Sequence, residues 1–336
     1  MRQLVFVHGR SQQNLDPSKL KEEWVSSWEE GLAKSSLKLP IKASEIRFPY
    51  YGDTLYQLSR GASEESMARV VIKGSGADTE RTIFIAAIVE EMLTKVGVDL
   101  AEVREESPEA AERGPLNWAW VLAMLRAIDT VPGCGAASLR LFTNDVYQYV
   151  TMAGIMSTID TGIVGAFTPD CSAVVVGHSL GTVVAYSILR RGHTYGWTVP
   201  LFVTLGCPLA VSVIRRHFAP IGHPGCVRRW FNAMDPNDTV ALHPLDSSHF
   251  GVQPPVENKD DVINESENHH SIRGYLSDSV VARRIYDGVI GFPIFEDAQP
   301  ARLGVEAPGW PGVRAKLDSG VQQAVDSGQG GSSDWG

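Results

Sequence analysis

The fold of this 336-residue chain is decided by one stretch, residues 173–189, which reads AVVVGHSLGTVVAYSIL. Its first four residues are apolar and mostly β-branched, which is typical of a buried strand. The run after residue 181 is again apolar and predicts a helix. Between them, Gly177 and Gly181 allow a sharp turn that holds Ser179 in a strained backbone conformation. We therefore expect a strand, a turn and a helix, with the Ser179 hydroxyl projecting from the turn.

Strands and helices alternate along the rest of the chain. Leu4–Val7 predicts a buried strand, and after the helix-starting pair Asp16-Pro17 apolar residues recur every four positions. Such alternation predicts an α/β fold, a mostly parallel sheet with helices on both faces. Further strands are expected at 45–50, 173–176, 201–205 and 227–231, and helices at 138–163, 181–190, 211–217 and 271–289.

One long segment interrupts this alternation. Residues 54–135 hold helical patterns at 85–96 and 118–128 but no strand pattern, so we expect an inserted helical cap within a domain that spans residues 1–295. Residues 296–336 are rich in glycine and serine toward their end. We expect them to form a C-terminal extension whose last part is disordered.

Composition excludes several classes of protein. The chain has 30 Lys and Arg against 39 Asp and Glu, a net charge of −9, so nucleic acid is not an expected partner. No run is apolar and long enough for a secretion signal or a transmembrane segment, and the four cysteines are far apart. We expect a soluble cytoplasmic protein. It has no phosphate-binding glycine loop, dinucleotide fingerprint or calcium loop, and we expect neither cofactor nor metal.

Ser179 is the candidate nucleophile. A serine hydroxyl reacts slowly at neutral pH unless an imidazole accepts its proton and a carboxylate orients that imidazole. Candidates for both of these partners occur after Ser179 in the chain. Asp235 and Asp238 lie after a predicted strand, and the pair His269-His270 precedes the last predicted helix. Asp235 precedes a proline and could instead stabilise a turn.

These motifs together resemble the α/β-hydrolase superfamily, in particular a lipase-like intracellular branch of its serine esterases and lipases. The resemblance covers about residues 3–290, except the cap. It rests first on the Gly177–Gly181 turn, which is similar to the nucleophile elbow of that family. The supporting segments are His8-Gly9-Arg10, Thr204–Leu209, Phe142-x-x-Asp145-Val146-x-x-Tyr149, Trp230-x-Asn232, Asp238-x-Val240-Ala241 and His270-Ser271-x-x-x-Tyr275.

The resemblance implies a role for each candidate. Asp238 matches the family's acid, which precedes a short run with valine and a small residue, and His270 matches its His-Ser spacing better than His269. The oxyanion donors implied are the backbone N–H groups of Leu180 and Arg10. The Arg10 side chain could bind an anionic group of the substrate or pair with an acidic residue of the cap, and we expect the second.

The expected activity is hydrolysis of a carboxylic ester, either a small molecule or a lipid, through an acyl-enzyme intermediate. A thioesterase or an acyltransferase could use the same Ser179, Asp238 and His270. In a different class, the chain could be a catalytically idle interaction protein that keeps the fold and binds a partner through residues 54–130. The sequence does not determine the acyl group, the alcohol or the oligomeric state.

Overall fold

The computed structural model describes residues 2–9, 16–57, 76–112, 118–131, 136–264 and 268–291. Residues 1–292 belong to one compact unit. Arg10, the C-terminal extension at 296–336 and part of the predicted cap lie outside the described residues.

A five-stranded sheet with only parallel neighbours forms the centre of the molecule. Its strands follow the order of the chain from one edge to the other. Because all strands run the same way, their carboxyl ends meet at one edge of the sheet, where ligands commonly bind in such folds. The strands are β1 (Gln3–Val7), β2 (Ala173–His178), β3 (Leu201–Leu205), β4 (Trp230–Ala233) and β5 (Glu257–Lys259).

Helices cover both faces of this sheet. The α/β class predicted from the alternating pattern is confirmed. In chain order the α-helices are α1 (Pro17–Ala33), α2 (Gly76–Lys95), α3 (Leu100–Glu106), α4 (Pro108–Glu112), α5 (Trp118–Asp129), α6 (Ala136–Thr151), α7 (Ala153–Val164), α8 (Leu180–Leu189), α9 (Ser212–His217), α10 (Ser247–Phe250), α11 (Ile272–Ser277) and α12 (Ser279–Ile290). Residues 52–57 are also helical, and short 3-10 turns occupy Ala43–Glu45, Gly192–Tyr195 and Pro208–Ala210.

Successive residues of each strand face opposite sides, which gives the sheet two apolar cores. Leu4 and Phe6 of β1 pack against α1, α11 and α12, whereas Val5 and Val7 pack on the side of α8. Trp28 of α1 is fully buried, and its indole N–H donates to the Ala282 carbonyl of α12 at 3.0 Å. Helices α2, α5 and α6 contribute to the core on the α8 side. Helices α2 and α5, which belong to the predicted insert, therefore pack on the α8 side of the sheet.

The strand predicted at 45–50 is wrong except at one residue. Arg47 forms an isolated parallel bridge with Val5 of β1. Residues 43–45 before it make a 3-10 turn. Two positions after it, Pro49 has no N–H to donate, so the pairing ends there.

The single helix predicted at 138–163 is divided into α6 and α7 at Met152, whose ψ of 98° is extended. The division brings Tyr149 to Asp160, and the phenol donates to the carboxylate at 2.7 Å. On one straight helix these residues would lie about 16 Å apart along the axis. The helix predicted at 271–289 is likewise divided at Asp278, whose carboxylate caps α12 by accepting from the N–H groups of Val280 and Val281.

Candidate active site

Ser179 connects β2 to α8 in the conformation expected from the sequence. Its φ of 55° and ψ of −129° lie in a region that residues with a side chain rarely adopt. The flanking glycines explain how the chain tolerates this turn. A Cβ on Gly177 would lie 2.9 Å from the Gly181 carbonyl oxygen, and one on Gly181 would lie 2.2 Å from that of Val7.

The turn brings the end of β1 against Ser179. A Cβ on Gly9 would lie 2.9 Å from the Ser179 Cβ and 3.4 Å from its Oγ. On the other side, the Ser179 N–H donates to the Leu205 carbonyl at the end of β3 at 3.0 Å. Ser179 therefore lies at the carboxyl edge of the sheet, between the ends of β1 and β3.

Asp238 and His270 form one hydrogen-bonded pair at this edge. The His270 Nδ1–H donates to Asp238 Oδ2 at 2.7 Å. The Asp238 side chain is fully buried, and its other oxygen accepts from the N–H groups of Val240 at 2.7 Å and Ala241 at 3.2 Å. The short Asp238-x-Val240-Ala241 segment thus folds back on its own carboxylate. This holds the acid in one orientation.

The charge state of Asp238 follows from its hydrogen bonds. Burial alone would raise the pKa of the carboxyl group. The charge of His270 and hydrogen bonds from His270, Tyr275 and the Val240 N–H outweigh burial and hold the pKa of Asp238 below its ordinary value. Asp238 is therefore a carboxylate at neutral pH, so it can only accept hydrogen bonds.

The other two candidates form a second pair. The His269 Nδ1–H donates to Asp235 Oδ2 at 3.1 Å. Asp235 is also buried, and its carboxylate accepts from the N–H groups of Asn237 at 2.7 Å and Asn264 at 2.9 Å. The His269 side chain, in contrast, is 37% exposed. The two aspartates and two histidines left open by the residue pattern thus sort into two pairs with distinct surroundings.

Asn264 fixes the turn that carries both histidines. Its side-chain NH2 donates to the backbone carbonyls of His269 at 3.2 Å and Ser271 at 2.8 Å. Because its own N–H is bound by Asp235, Asn264 connects that carboxylate to both sides of His270. The pair Asp235–His269 therefore supports the histidine turn from outside the site.

Tyr275 was quoted in the sequence only as part of a motif, and the structure gives it a specific place. The side chain is fully buried, and its hydroxyl donates to Asp238 Oδ2 at 2.5 Å. The Tyr275 phenol oxygen also accepts from the Asp235 N–H at 3.1 Å. The motif spacing placed Tyr275 in a helix after the histidine, but sequence alone could not show that its hydroxyl reaches both aspartates.

His178 and Gly206 place the His270 ring beside the Ser179 turn. The rings of His178 and His270 lie 4.7 Å apart, and the His178 Nε2–H donates to the His270 carbonyl at 3.0 Å. Gly206 follows Leu205, whose carbonyl accepts from the Ser179 N–H. The φ of Gly206 is 55°. A Cβ on Gly206 would lie 3.0 Å from His270 Nδ1 and from Asp238 Oδ2. An added side chain would therefore press on both groups, at a backbone angle that residues with a side chain rarely adopt.

Two buried polar atoms at this site lack hydrogen bonds. Within the described residues, neither Ser179 Oγ nor His270 Nε2 has a hydrogen-bond partner. The serine–histidine hydrogen bond of a resting triad is thus not formed. Leaving a buried polar atom unpaired costs about 1–3 kcal/mol, so such groups often mark sites whose partner is a ligand or a reacting atom.

Two neutral histidines surround the Ser179 turn. Burial, followed by the charge of His270, lowers the pKa of His178 to about 3. Burial lowers the pKa of His8 to about 4. The His8 Nδ1–H donates to the Gly9 carbonyl at 2.7 Å, while Nε2 accepts from the Tyr51 N–H at 3.1 Å. Both rings therefore stay neutral near pH 7.

Of the two expected oxyanion donors, Leu180 lies within the described residues and Arg10 does not. Leu180 is the first residue of α8, so its N–H has no acceptor within the helix, and the helix dipole favours negative charge there. Arg10, both as a backbone donor and as a side-chain partner for the cap, lies outside the described residues. Gly9, the residue before it, is in place beside Ser179.

The predicted insert contacts the segment that follows Asp238. The Lys95 Nζ–H of α2 donates to the Leu242 carbonyl at 2.7 Å, and His243 Nε2 lies 2.8 Å from Glu91 Oε1 of the same helix. Glu91 also accepts from the Ser212 N–H of α9 at 3.0 Å. Helix α2 therefore helps to hold the acid segment in position.

The described part of the chain holds neither a metal-ligating cluster nor a membrane-spanning helix. No group of three or more His, Cys, Asp or Glu among the described residues could hold a metal ion. None of the helices in that part has the length and apolar character needed to cross a bilayer.

Comparisons with known proteins found no relative. No family model matches the chain, and no curated protein and no solved structure matches it significantly. The site must therefore be interpreted from its own geometry.

Proposed function

We propose that this chain is a serine hydrolase of the α/β-hydrolase type, which cleaves a carboxylic ester through an acyl-enzyme intermediate. Ser179 is the nucleophile, His270 the base and Asp238 the acid that orients it. The substrate is a small-molecule or lipid ester, and the reaction requires no cofactor.

One observation carries the proposal. A serine in a strained turn and a histidine already bound to a buried carboxylate present two unpaired buried atoms, Ser179 Oγ and His270 Nε2, at the same edge of the parallel sheet. A serine that served only the turn would not require a base–acid pair beside it. Catalytic hydrogen bonds are often long or absent before substrate binds, so the open serine–histidine contact is compatible with this role.

In the acylation step, Ser179 Oγ attacks the ester carbonyl carbon while His270 Nε2 accepts the hydroxyl proton. The imidazolium that forms is stabilised by Asp238, which remains ionised. The carbonyl oxygen becomes an oxyanion, and the N–H groups of Leu180 and Arg10 would stabilise it by about 2.7–4 kcal/mol per donor. The bond to the alcohol oxygen then breaks, and His270 gives its proton to the leaving alcohol.

Deacylation repeats these steps with water. His270 Nε2 accepts a proton from water as the hydroxide oxygen attacks the acyl carbon, and the bond to Ser179 Oγ breaks as the proton returns to Oγ. The products are the free acid and the original enzyme. If a thioester replaces the ester, the same residues give a thioesterase. If a second alcohol replaces the water, they give an acyltransferase.

The test is turnover of a p-nitrophenyl ester series, from acetate to longer acyl chains, together with labelling by a fluorophosphonate probe. The wild-type protein should turn over at least one ester and should be labelled. Ser179→Ala should abolish labelling and lower kcat/KM by about 10⁴-fold or more, because the other groups cannot replace the nucleophile.

The matched control is Ser187→Ala, which removes a buried serine from α8 two turns away from the site. This variant should keep both labelling and turnover. Labelling that survives in Ser179→Ala would contradict the proposal. A wild-type protein that ignores every ester, thioester and serine probe but forms a stable complex would favour the interaction protein instead.

A further inference from the structure

We propose that Tyr275 is a positioning residue of the site, whose hydroxyl directs its proton to Asp238 and so sets how strongly Asp238 binds His270. This inference rests on the proposed function for its catalytic consequence. The hydrogen bonds that carry it exist independently of any activity.

The direction of the Tyr275 proton follows from its two partners. The Asp235 N–H can only donate, so at 3.1 Å it occupies an acceptor site of the phenol oxygen. The Asp238 carboxylate can only accept, so the single phenol proton points to its Oδ2 at 2.5 Å. Burial and the nearby charge of Asp238 raise the pKa of Tyr275 well above its ordinary value, which keeps the hydroxyl protonated. Tyr275 is therefore a fixed donor.

This donor completes the hydrogen bonding of Asp238. Oδ1 accepts two backbone N–H groups, and Oδ2 accepts from His270 and Tyr275. A carboxylate offers about four acceptor sites, so all of them are used. Because Tyr275 and His270 share Oδ2, the phenol draws electron density from the oxygen that holds the imidazole. Without the phenol, Oδ2 would bind the His270 Nδ1–H more strongly but would be less firmly oriented.

The first experiment compares the wild-type protein with Tyr275→Phe. We expect kcat to fall about tenfold with KM changed by less than about threefold, because positioning is lost and substrate binding is not. We also expect the acidic limb of the kcat/KM profile to move to higher pH. In the proton NMR spectrum, the His270 Nδ1–H resonance should move downfield, since its acceptor has lost a competing donor.

The matched control is Tyr186→Phe. The Tyr186 side chain is likewise buried, and its hydroxyl donates to the Gly222 carbonyl at 3.0 Å and accepts from the Gly222 N–H at 3.2 Å, but it does not contact Asp238. Its removal should leave both the pH profile and the His270 resonance unchanged. If Tyr275→Phe does not fold, 3-fluorotyrosine at position 275 keeps the hydroxyl and makes it a stronger donor. The His270 resonance should then move upfield.

The outcomes separate this inference from the proposed function. A loss of activity in Tyr275→Phe with an unchanged pH profile and an unchanged His270 resonance would reduce Tyr275 to a structural residue and overturn the inference. Full activity of Ser179→Ala would instead overturn the hydrolase proposal. In that case the His270 Nδ1–H resonance would still test whether the Tyr275 hydrogen bond weakens the binding of His270 by Asp238.

Discussion

The two histidine–aspartate pairs of this protein have the same chemistry and lie side by side, yet only one faces the Ser179 turn. His270 is 19% exposed, with its Nε2 buried, and it packs against His178. His269 is 37% exposed, and its partner Asp235 is bound mainly to the turn. The difference teaches that the same two residue types can serve different ends. Under the proposed function, the pair that faces Ser179 moves a proton, while the other pair supports the histidine turn.

The strongest way to break this comparison is to remove each imidazole in turn. We expect His270→Gln to lower kcat/KM for the best ester by about 10³–10⁴-fold, because the proton of Ser179 then has no acceptor. His269→Gln should lower it by less than about fivefold. Large losses of similar size in the two variants would show that both pairs act. Wild-type activity in both variants would remove His270 from the mechanism.

The carboxylates give the next largest contrast. Asp238→Asn presents an amide to His270 Nδ1 and favours the wrong tautomer, so we expect a loss of about 10³-fold or more in kcat. Asp235→Asn should cost about tenfold or less in kcat and lower the melting temperature, because Asp235 supports the histidine turn. Steady-state kinetics and thermal unfolding of both variants measure this. A larger kinetic loss in Asp235→Asn would exchange the roles of the two acids.

Substitution of two glycines by alanine tests how closely the two histidine–aspartate pairs are packed, because it changes no polar group. Gly206→Ala places a Cβ 3.0 Å from His270 Nδ1 at a φ of 55°, and Gly274→Ala places one 2.1 Å from the Asn264 side chain. We expect Gly206→Ala to lower kcat/KM by about 10–100-fold, since small displacements of reacting groups are costly. Gly274→Ala should mainly lower the unfolding free energy, by about 1–3 kcal/mol. Unaltered kinetics in Gly206→Ala would mean that His270 tolerates displacement.

The smallest effect concerns pH. In the unfolded chain His178 binds a proton below about pH 6.5, whereas in the folded protein its pKa is about 3. Between these values the unfolded state holds more protons, so stability falls as pH falls. From pH 7 to pH 5 the His178 contribution to unfolding free energy should drop by about 2 kcal/mol. Urea unfolding of the wild-type protein and His178→Gln measures it, and an identical pH dependence of both would contradict the buried, neutral ring.

Much of this architecture could be predicted from sequence because its signals are local. The strand at 201–205 matches β3, and Asp16 caps α1 as its position before Pro17 predicts. The prediction is wrong at two helix divisions. The break at Met152 allows a contact between Tyr149 and Asp160, which lie 11 residues apart in the chain. The division at Asp278 had a local signal, because its carboxylate accepts from N–H groups two and three residues further on.

The candidate site shows the same division. Sequence predicted the strained conformation at Ser179, since the two glycines and the strand–helix pattern are all within a few residues. It left both acids and both histidines open on residue pattern alone, and only the resemblance favoured Asp238 and His270. Tyr275 was invisible as a partner because a hydroxyl 37 residues from Asp238 reaches it only when α11 packs beside the acid segment.

By itself, the sequence determined the alternation of strands and helices, the parallel sheet and the turn at Ser179. The spacing of apolar residues, the capping side chains and the glycines all act on backbone only a few residues away. Only the tertiary structure decided which aspartate meets which histidine and which hydroxyl joins them. Hydrogen bonds of this kind depend on direction and on distances of about 3 Å, which residue types and spacing do not encode. They are fixed when helices α11 and α12 pack on one face of the sheet and α11 brings Tyr275 to Asp238.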